Sequence, residues 1–192
     1  MGRLLIDTDA LIAIGNTELR DTIFFNIRMD TTYVVKKELE RHVKEGKASP
    51  EGSRDRYRYE GSKHALEGIE DGSLSLVNTV PKPHGKNAGE ESLRIQIAQQ
   101  GDEYDAVFVM DGDGRDSIRK TAEPNGYGVK TPSPAFPLYI AYDNGMVSKE
   151  EFCETNQAII EMEGWDGYRA IGMMWKGVPI DCSAYVDPEY LP

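Results

Sequence analysis

Short apolar runs along the chain alternate with longer segments in which apolar residues recur every three or four positions. Continuous apolar runs are typical of strands buried in a parallel sheet, and the longer period is typical of amphipathic helices. The predicted strands cover residues 3–6, 28–32, 73–80, 105–110 and 128–131. The predicted helices cover about 9–14, a piece after the 16–21 loop, 34–44, 55–70, 88–99, 114–122, 136–143 and 148–163. Strands that alternate with helices predict an α/β fold with a parallel sheet covered on both faces.

The first strand and the strand at 105–110 both end abruptly on carboxylates. Asp7 and Asp9 follow the first strand, and Asp111 and Asp113 follow the second. Because the carboxyl ends of parallel strands lie at one edge of a sheet, Asp7, Asp111 and Asp113 are expected to meet there. Clustered carboxylates repel one another unless a cation lies between them, and a divalent metal with oxygen ligands is the usual solution. Asp7 and Asp9 are also ordinary helix N-cap residues, which is the alternative interpretation.

Two glutamates are further candidates on predicted helices. Glu90 shares a helical face with Leu93 and Ile97, so it is expected to point toward the core at the start of its helix. That position suits a metal ligand beside a strand end, although the spacing from Asn87 to Glu90 also fits a capping box. Glu38 by itself is typical of a solvated helical glutamate.

The net charge of −11 argues at first against a nucleic-acid partner, and an acidic bias is also compatible with a high-salt host. The charges are uneven, however, because residues 36–63 contain nine basic and six acidic side chains. One interpretation is a solvated helical surface with ion pairs. The other is a basic arm that binds nucleic acid, with Tyr57 and Tyr59 stacking on bases. The phosphate-binding residues would then be Lys36, Lys37, Arg54, Arg56 and Arg58.

Size and composition predict one ordinary domain in a reducing compartment. A chain of 192 residues that is 39% hydrophobic can bury a core. Cys153 and Cys182 form neither a disulfide framework nor a metal-ligand spacing, and both are expected to be reduced. No apolar run approaches membrane-spanning length and the start has no signal-peptide pattern, which predicts a cytoplasmic protein without membrane contact. His42, His64 and His84 share no ligand spacing and are expected at the surface.

Four acidic motifs follow one another along the chain. Residues 5–12 contain Asp7, residues 35–39 contain Glu38, residues 89–93 contain Glu90, and residues 109–113 end on Asp113. In this order the motifs resemble the PIN-domain nucleases, the family of the VapC-type toxin ribonucleases. The segment 144–148 resembles the family's usual turn between its last helices, so the resemblance covers roughly residues 3–165.

The resemblance implies a three-layer α/β/α sandwich around a parallel sheet and a metal-dependent ribonuclease. The family's four acidic positions fall on Asp7, Glu38, Glu90 and Asp113, which would be the catalytic residues. Asp111 stands where many members have Thr or Ser, and its carboxylate adds a ligand. The metal set would be Asp7, Glu90, Asp111 and Asp113, holding one or two Mg²⁺ or Mn²⁺ ions. Glu38 would hold a metal-bound water or the second ion.

The resemblance assigns residues 1–165 to a PIN-like domain with a charged helical insertion at about 46–70, and residues 166–192 to an irregular tail. The insertion and the tail are longer than in the compact toxin members. Expected partners are an RNA substrate, an antitoxin or other regulatory protein, and a second copy of the chain. Two alternatives stay open: a degenerate PIN fold that only binds RNA or protein, and a haloacid-dehalogenase-like phosphatase that uses Asp7 and Asp9.

Overall fold

The structure, a computed structural model, describes residues 3–85 and 87–192. Its centre is a sheet of four parallel strands in the order β3-β2-β1-β4. The strands are β1 (Arg3–Ile6), β2 (Met29–Thr32), β3 (Leu74–Val77) and β4 (Tyr104–Phe108). Helices flank this sheet, which confirms the predicted α/β/α architecture.

The predicted helices are present, with one more near the end of the chain. Their bounds are α1 (Thr8–Gly15), α2 (Arg20–Asn26), α3 (Tyr33–Gly46), α4 (Arg54–Glu70), α5 (Ala88–Gln100), α6 (Gly112–Ala122), α7 (Phe136–Asp143), α8 (Lys149–Glu163) and α9 (Tyr168–Trp175). No helix in the described ranges combines the length and the apolar character that crossing a membrane requires.

The predicted fifth strand at 128–131 is reduced to a single bridge between Ala106 and Lys130. The Val107 N–H donates to the Lys130 carbonyl oxygen at 2.9 Å. Pro132 follows closely, and a proline has no N–H with which to extend a ladder. The prediction of a strand over residues 128–131 was therefore wrong in length, because only one residue pair forms the bridge.

The positively charged window forms α3 and α4, which pack against each other and, through α4, against α1. A Cβ added to Gly61 of α4 would overlap the carbonyl oxygen of Ile12, and one added to Gly15 would lie 2.5 Å from the Gly61 carbonyl oxygen. The missing side chains therefore let the backbones of α1 and α4 touch. This contact brings Arg58 of α4 toward the edge of the sheet where β1 ends.

One acid near the amino end of the strands receives its counter-charge from the protein itself. Asp30 in β2 is fully buried, and Arg3 Nε lies 2.6 Å from its Oδ2. The Tyr104 hydroxyl donates to the same oxygen at 3.1 Å. Burial raises the pKa of Asp30, and the Arg3 charge opposes that rise. The fold thus supplies a cation to a carboxylate that it buries at this end of the sheet.

The segment after residue 165 contradicts two predictions. It is not wholly irregular, because α9 forms there and buries Ile171 and Trp175. Cys153 of α8 and Cys182 are not reduced but form a disulfide with a Cα–Cα distance of 5.5 Å. Sequence spacing could not reveal this pair, because the fold alone brings residues that far apart in the chain together. The disulfide fixes the end of the chain to α8.

The disulfide is expected to stabilise the fold. A cross-link over a separation of 29 residues corresponds to about 3–4 kcal/mol in the chain-entropy account. Adding a reductant should lower the free energy of unfolding of the wild type by roughly this amount in urea melts. A Cys153→Ala/Cys182→Ala variant should begin at the lower stability and should not respond to reductant. Two free thiols in native protein prepared without reductant would contradict the disulfide.

Candidate active site

Asp7 lies at the carboxyl end of β1, where the following helix holds it in place. It is the N-cap of α1, because the Ala10 N–H donates to Asp7 Oδ1 at 2.8 Å. The Asp7 N–H donates to the Phe108 carbonyl oxygen at 3.1 Å, which holds the ends of β1 and β4 side by side. The capping interpretation was therefore correct for Asp7 and wrong for Asp9, which lies inside α1. Capping leaves Asp7 room for a second role because a carboxylate has about four lone-pair sites.

Glu38 is held in α3 by contacts to two other helices. The Thr8 hydroxyl donates to Glu38 Oε2 at 2.5 Å, and the Gly89 N–H donates to Glu38 Oε1 at 3.0 Å. A side chain at residue 89 would clash with this carboxylate, so the glycine there permits the contact. Glu38 is thus not a free, solvated glutamate: it joins the first turns of α1 and α5.

Glu90 and Asp111 face each other across the first turn of α6. Asp111 is the N-cap of α6, and the Gly114 N–H donates to Asp111 Oδ1 at 2.7 Å. A Cβ on Gly114 would lie 3.3 Å from Glu90 Cδ and 3.4 Å from Asp111 Oδ2, so both carboxyl groups flank this glycine. Asn87 has a positive φ of 62° and makes no side-chain capping bond, so the capping-box alternative for Glu90 does not hold.

A cleft of about 640 Å³ joins these carboxylates. Its acidic lining consists of Asp7, Asp9, Glu38, Glu90 and Asp111. Asp113 is exposed and lies outside this cleft, in an adjoining pocket that it shares with Glu90 and Asp111. The structure therefore brings four of the five predicted acids into one cleft and places the fifth next to it.

The site acids are close to one another without a cation of their own. Among the described residues, no basic side chain lies within ion-pair distance of the five cleft acids or of Asp113. Burial raises the pKa of Asp7 well above its usual range, and the Asp9 and Asp111 charges add to the rise. Burial also raises the pKa of Glu90, followed by the effect of Asp111. Both carboxyls are therefore harder to ionise in the folded protein than in the unfolded chain.

The basic side chains at the cleft are mostly not the predicted ones. Of the five predicted residues only Arg58 lines the cleft, together with Arg41 and His42. Arg41 and His42 lie three and four positions after Glu38, so helical spacing alone would have placed them on the face of Glu38. Burial lowers the pKa of His42, and the Arg58 and Arg41 charges lower it further.

The other four predicted RNA-binding residues either form ion pairs within the protein or are exposed outside the cleft. Lys36 Nζ lies 3.7 Å from Glu40 Oε1, and Arg56 pairs with Glu60. Lys37 and Arg54 are exposed outside the cleft. Their contacts with RNA stay predictions.

Two expectations about aromatic and histidine side chains were wrong. The Tyr57 hydroxyl donates to Glu163 at 2.8 Å and its ring packs on the core, so it is not free to stack on a base. The Arg56 guanidinium lies over one face of the Tyr59 ring, and base stacking by Tyr59 stays a prediction. His42 and His64 are half-buried rather than freely exposed: the first lines the cleft, and a ring nitrogen of the second lies 2.8 Å from the Gly15 carbonyl oxygen. His84 is exposed, as expected.

The donor set suits a hard divalent cation, which takes carboxylate oxygens as ligands. As the side chains stand, no three acidic, histidine or cysteine groups within residues 3–85 and 87–192 are close enough together to hold a metal ion. In this arrangement Glu38 is bound to Thr8 and Gly89, and Asp111 caps a helix. The unpaired, mutually repelling carboxylates nevertheless fit such a group by their chemistry.

Comparison with known proteins gives one match. A family model described as the halobacterial PIN domain matches residues 2–192, which is nearly the whole chain and includes the segment after residue 165. No curated protein and no solved structure matches the chain.

Replacing Asp7 with asparagine should stabilise the metal-free protein at neutral pH. A raised folded-state pKa contributes stability below the unfolded pKa of about 3.9, and this stability is lost as pH rises through the folded value. Asparagine cannot ionise and remains a good N-cap. We expect Asp7→Asn to raise the melting temperature in EDTA near neutral pH and not in acid, with about 2–4 °C for each kcal/mol gained.

An Asp102→Asn variant is the matched control, because Asp102 is an exposed carboxylate in the short helix before β4. It should melt like the wild type at both pH values. A loss of stability in Asp7→Asn at neutral pH in EDTA, or an equal gain in acid, would contradict the raised pKa.

Proposed function

Because the chain belongs to the halobacterial PIN-domain family, we propose that it is a metal-dependent ribonuclease that cleaves phosphodiester bonds within RNA. PIN domains are generally nucleases, and they typically use divalent metals. The metal dependence and the RNA substrate of this chain are the parts that we propose.

The observation that carries the proposal is the shared cleft. Asp7, Glu38, Glu90 and Asp111 come from four different elements, yet all line one cavity. None of them has an ion-pair partner within the described part of the chain. Several carboxylates that lie together without an ion-pair partner lower the stability of the fold. A divalent ion that binds between them would remove this repulsion.

Asp7, Glu90, Asp111 and Asp113 would hold Mg²⁺ or Mn²⁺. Such an ion lowers the pKa of a bound water and stabilises charge on the attacked phosphate and the leaving oxygen. The protein's part is positional: the Ala10 N–H orients Asp7, and the Gly114 N–H orients Asp111. Glu38, which Thr8 and Gly89 hold in position, would accept a proton from a metal-bound water.

Arg41 and Arg58 form the cationic wall of the same cleft and would bind phosphate oxygens beside the reacting one. RNA as the substrate is supported by the resemblance to PIN-domain ribonucleases. Family membership favours a nuclease over the phosphatase alternative. An antitoxin, another regulatory protein or a second copy of the chain as partner stays a prediction.

The test is cleavage of end-labelled RNA, with single-stranded DNA in parallel, in Mg²⁺, Mn²⁺ or EDTA. The wild type should cleave RNA only with metal. Asp7→Asn and Glu90→Gln should each lower the rate by more than about 100-fold, because removal of a ligand should cost at least as much as loss of an outer-shell contact. Both changes keep side-chain size, and circular dichroism checks the fold.

Asp102→Asn is the matched control and should cleave at the wild-type rate. An Asp9→Asn variant separates the nuclease from the phosphatase, which would need Asp9 and would release inorganic phosphate. Wild-type cleavage rates in Asp7→Asn and Glu90→Gln would contradict the catalytic assignment of these two residues. Absence of metal-dependent cleavage by the wild type would favour the binding-module alternative.

A further inference from the structure

A second groove, of about 540 Å³, lies between α6 and α9 and adjoins the pocket that contains Asp113. We call it the α6–α9 groove, and its charged and hydroxyl lining includes Asp113, Arg115, Arg119, Ser133, Arg169 and Lys176. Gly112 and Asp113 connect it to the pocket that also contains Glu90 and Asp111. Arg169 lines both spaces, so a chain crossing the site acids in this direction would enter the groove.

The groove is positively charged in a chain with a net charge of −11. Its four basic side chains face only two acidic ones, Asp113 and Asp116. Arg119 is bound to Asp116 at 3.0 Å. Arg169 and Lys176, both exposed on or next to α9, have no ion-pair partner among the described residues. Two cations are therefore available for a ligand.

Arg115 provides the fixed floor of this groove. It is 8% exposed, and its guanidinium contacts the carbonyl oxygens of Val109 and Met110, each at 3.4 Å. Its other nitrogen lies 3.3 Å from Met173 Sδ in α9. A buried guanidinium that joins the end of β4 to α9 holds the groove at a set position relative to Asp111.

Ser133 places a buried hydroxyl beside the groove. It lines the groove and is 8% exposed, yet its hydroxyl has no hydrogen-bond partner within residues 3–85 and 87–192. A buried hydroxyl without a partner costs roughly 1–3 kcal/mol, so such groups are normally satisfied. The hydroxyl oxygen itself is closed off from the groove, so the Ser133 side chain would have to turn to another rotamer before an anionic oxygen could accept this hydrogen bond while Arg169 and Lys176 neutralise its charge.

We propose that the α6–α9 groove binds a backbone phosphate of the single-stranded RNA segment that flanks the scissile phosphate. The proposal rests on the proposed ribonuclease function and adds the path of the substrate strand. Arg41 and Arg58 would hold the strand on one side of the acids, and Ser133, Arg169 and Lys176 on the other. Segment 166–192 is then part of the substrate site.

The experiment measures binding of a fluorescently labelled single-stranded RNA in EDTA over a series of salt concentrations. Arg169→Gln/Lys176→Gln should weaken binding about tenfold and make the slope of log K against log salt shallower by about 0.7, the change expected for the loss of one phosphate contact. Ser133→Ala removes no charge, so it should weaken binding about threefold with an unchanged slope. Lys120→Gln/Lys149→Gln removes two cations outside the groove and should leave both the affinity and the slope as in wild type.

Shortening the RNA locates the contact. Removal of nucleotides from one end should weaken wild-type binding but should not further weaken the Arg169→Gln/Lys176→Gln variant. Equal losses in both proteins, or a groove variant that binds like its control, would overturn the proposal. If the groove variant binds RNA normally while the wild type cleaves RNA with metal, only the proposed role of the groove is wrong. If the wild type neither binds nor cleaves RNA, both the proposed ribonuclease function and the proposed role of the groove are wrong.

Discussion

Mutual repulsion of carboxylates at one edge of the sheet is the constraint on which the site depends. Parallel strands all end at the same edge, so a sequence that places Asp7 directly after β1 and Asp111 three residues after β4 brings like charges together. Helices α3 and α5 add Glu38 and Glu90 to the same cleft. Asp30 shows that this fold can supply a counter-ion, since Arg3 neutralises it at the other end of the strands. At the carboxyl edge no described basic side chain lies within ion-pair distance of the acids, which leaves their charge for a ligand.

Local bonds absorb part of this repulsion and fix the geometry. Helix N-termini carry partial positive charge, and Asp7 and Asp111 cap two of them. Glu38 accepts a hydroxyl and a backbone N–H from two other helices, which ties α3 to α1 and α5. Close packing of α4 on α1 through Gly61 sets Arg58 at the rim. The same contacts that hold the fold together therefore aim the acids and cations at a common space.

The sequence predicted the parts of this arrangement that follow from local patterns. Apolar runs that end on Asp7 and Asp111 identified the strands and their shared edge, and Glu90 followed from helical periodicity. The rest depends on tertiary contacts. The role of Thr8 appears only when α3 lies beside α1, and the Cys153–Cys182 pair appears only when residue 182 returns to α8. The spacing of Ile171, Met174 and Trp175 does indicate helix α9, but the glycines around and within this eight-residue element favoured a loop.

The central claim is that the cleft acids form a divalent-cation site, and its most direct measurement is the position of a bound ion. Crystals grown with Mn²⁺ should give an anomalous difference peak in the cleft between Asp7, Glu90 and Asp111, and crystals of Asp7→Asn protein under the same conditions should give a weak peak or none. A peak of equal height in the variant, or wild-type crystals with manganese only outside the cleft, would contradict the account.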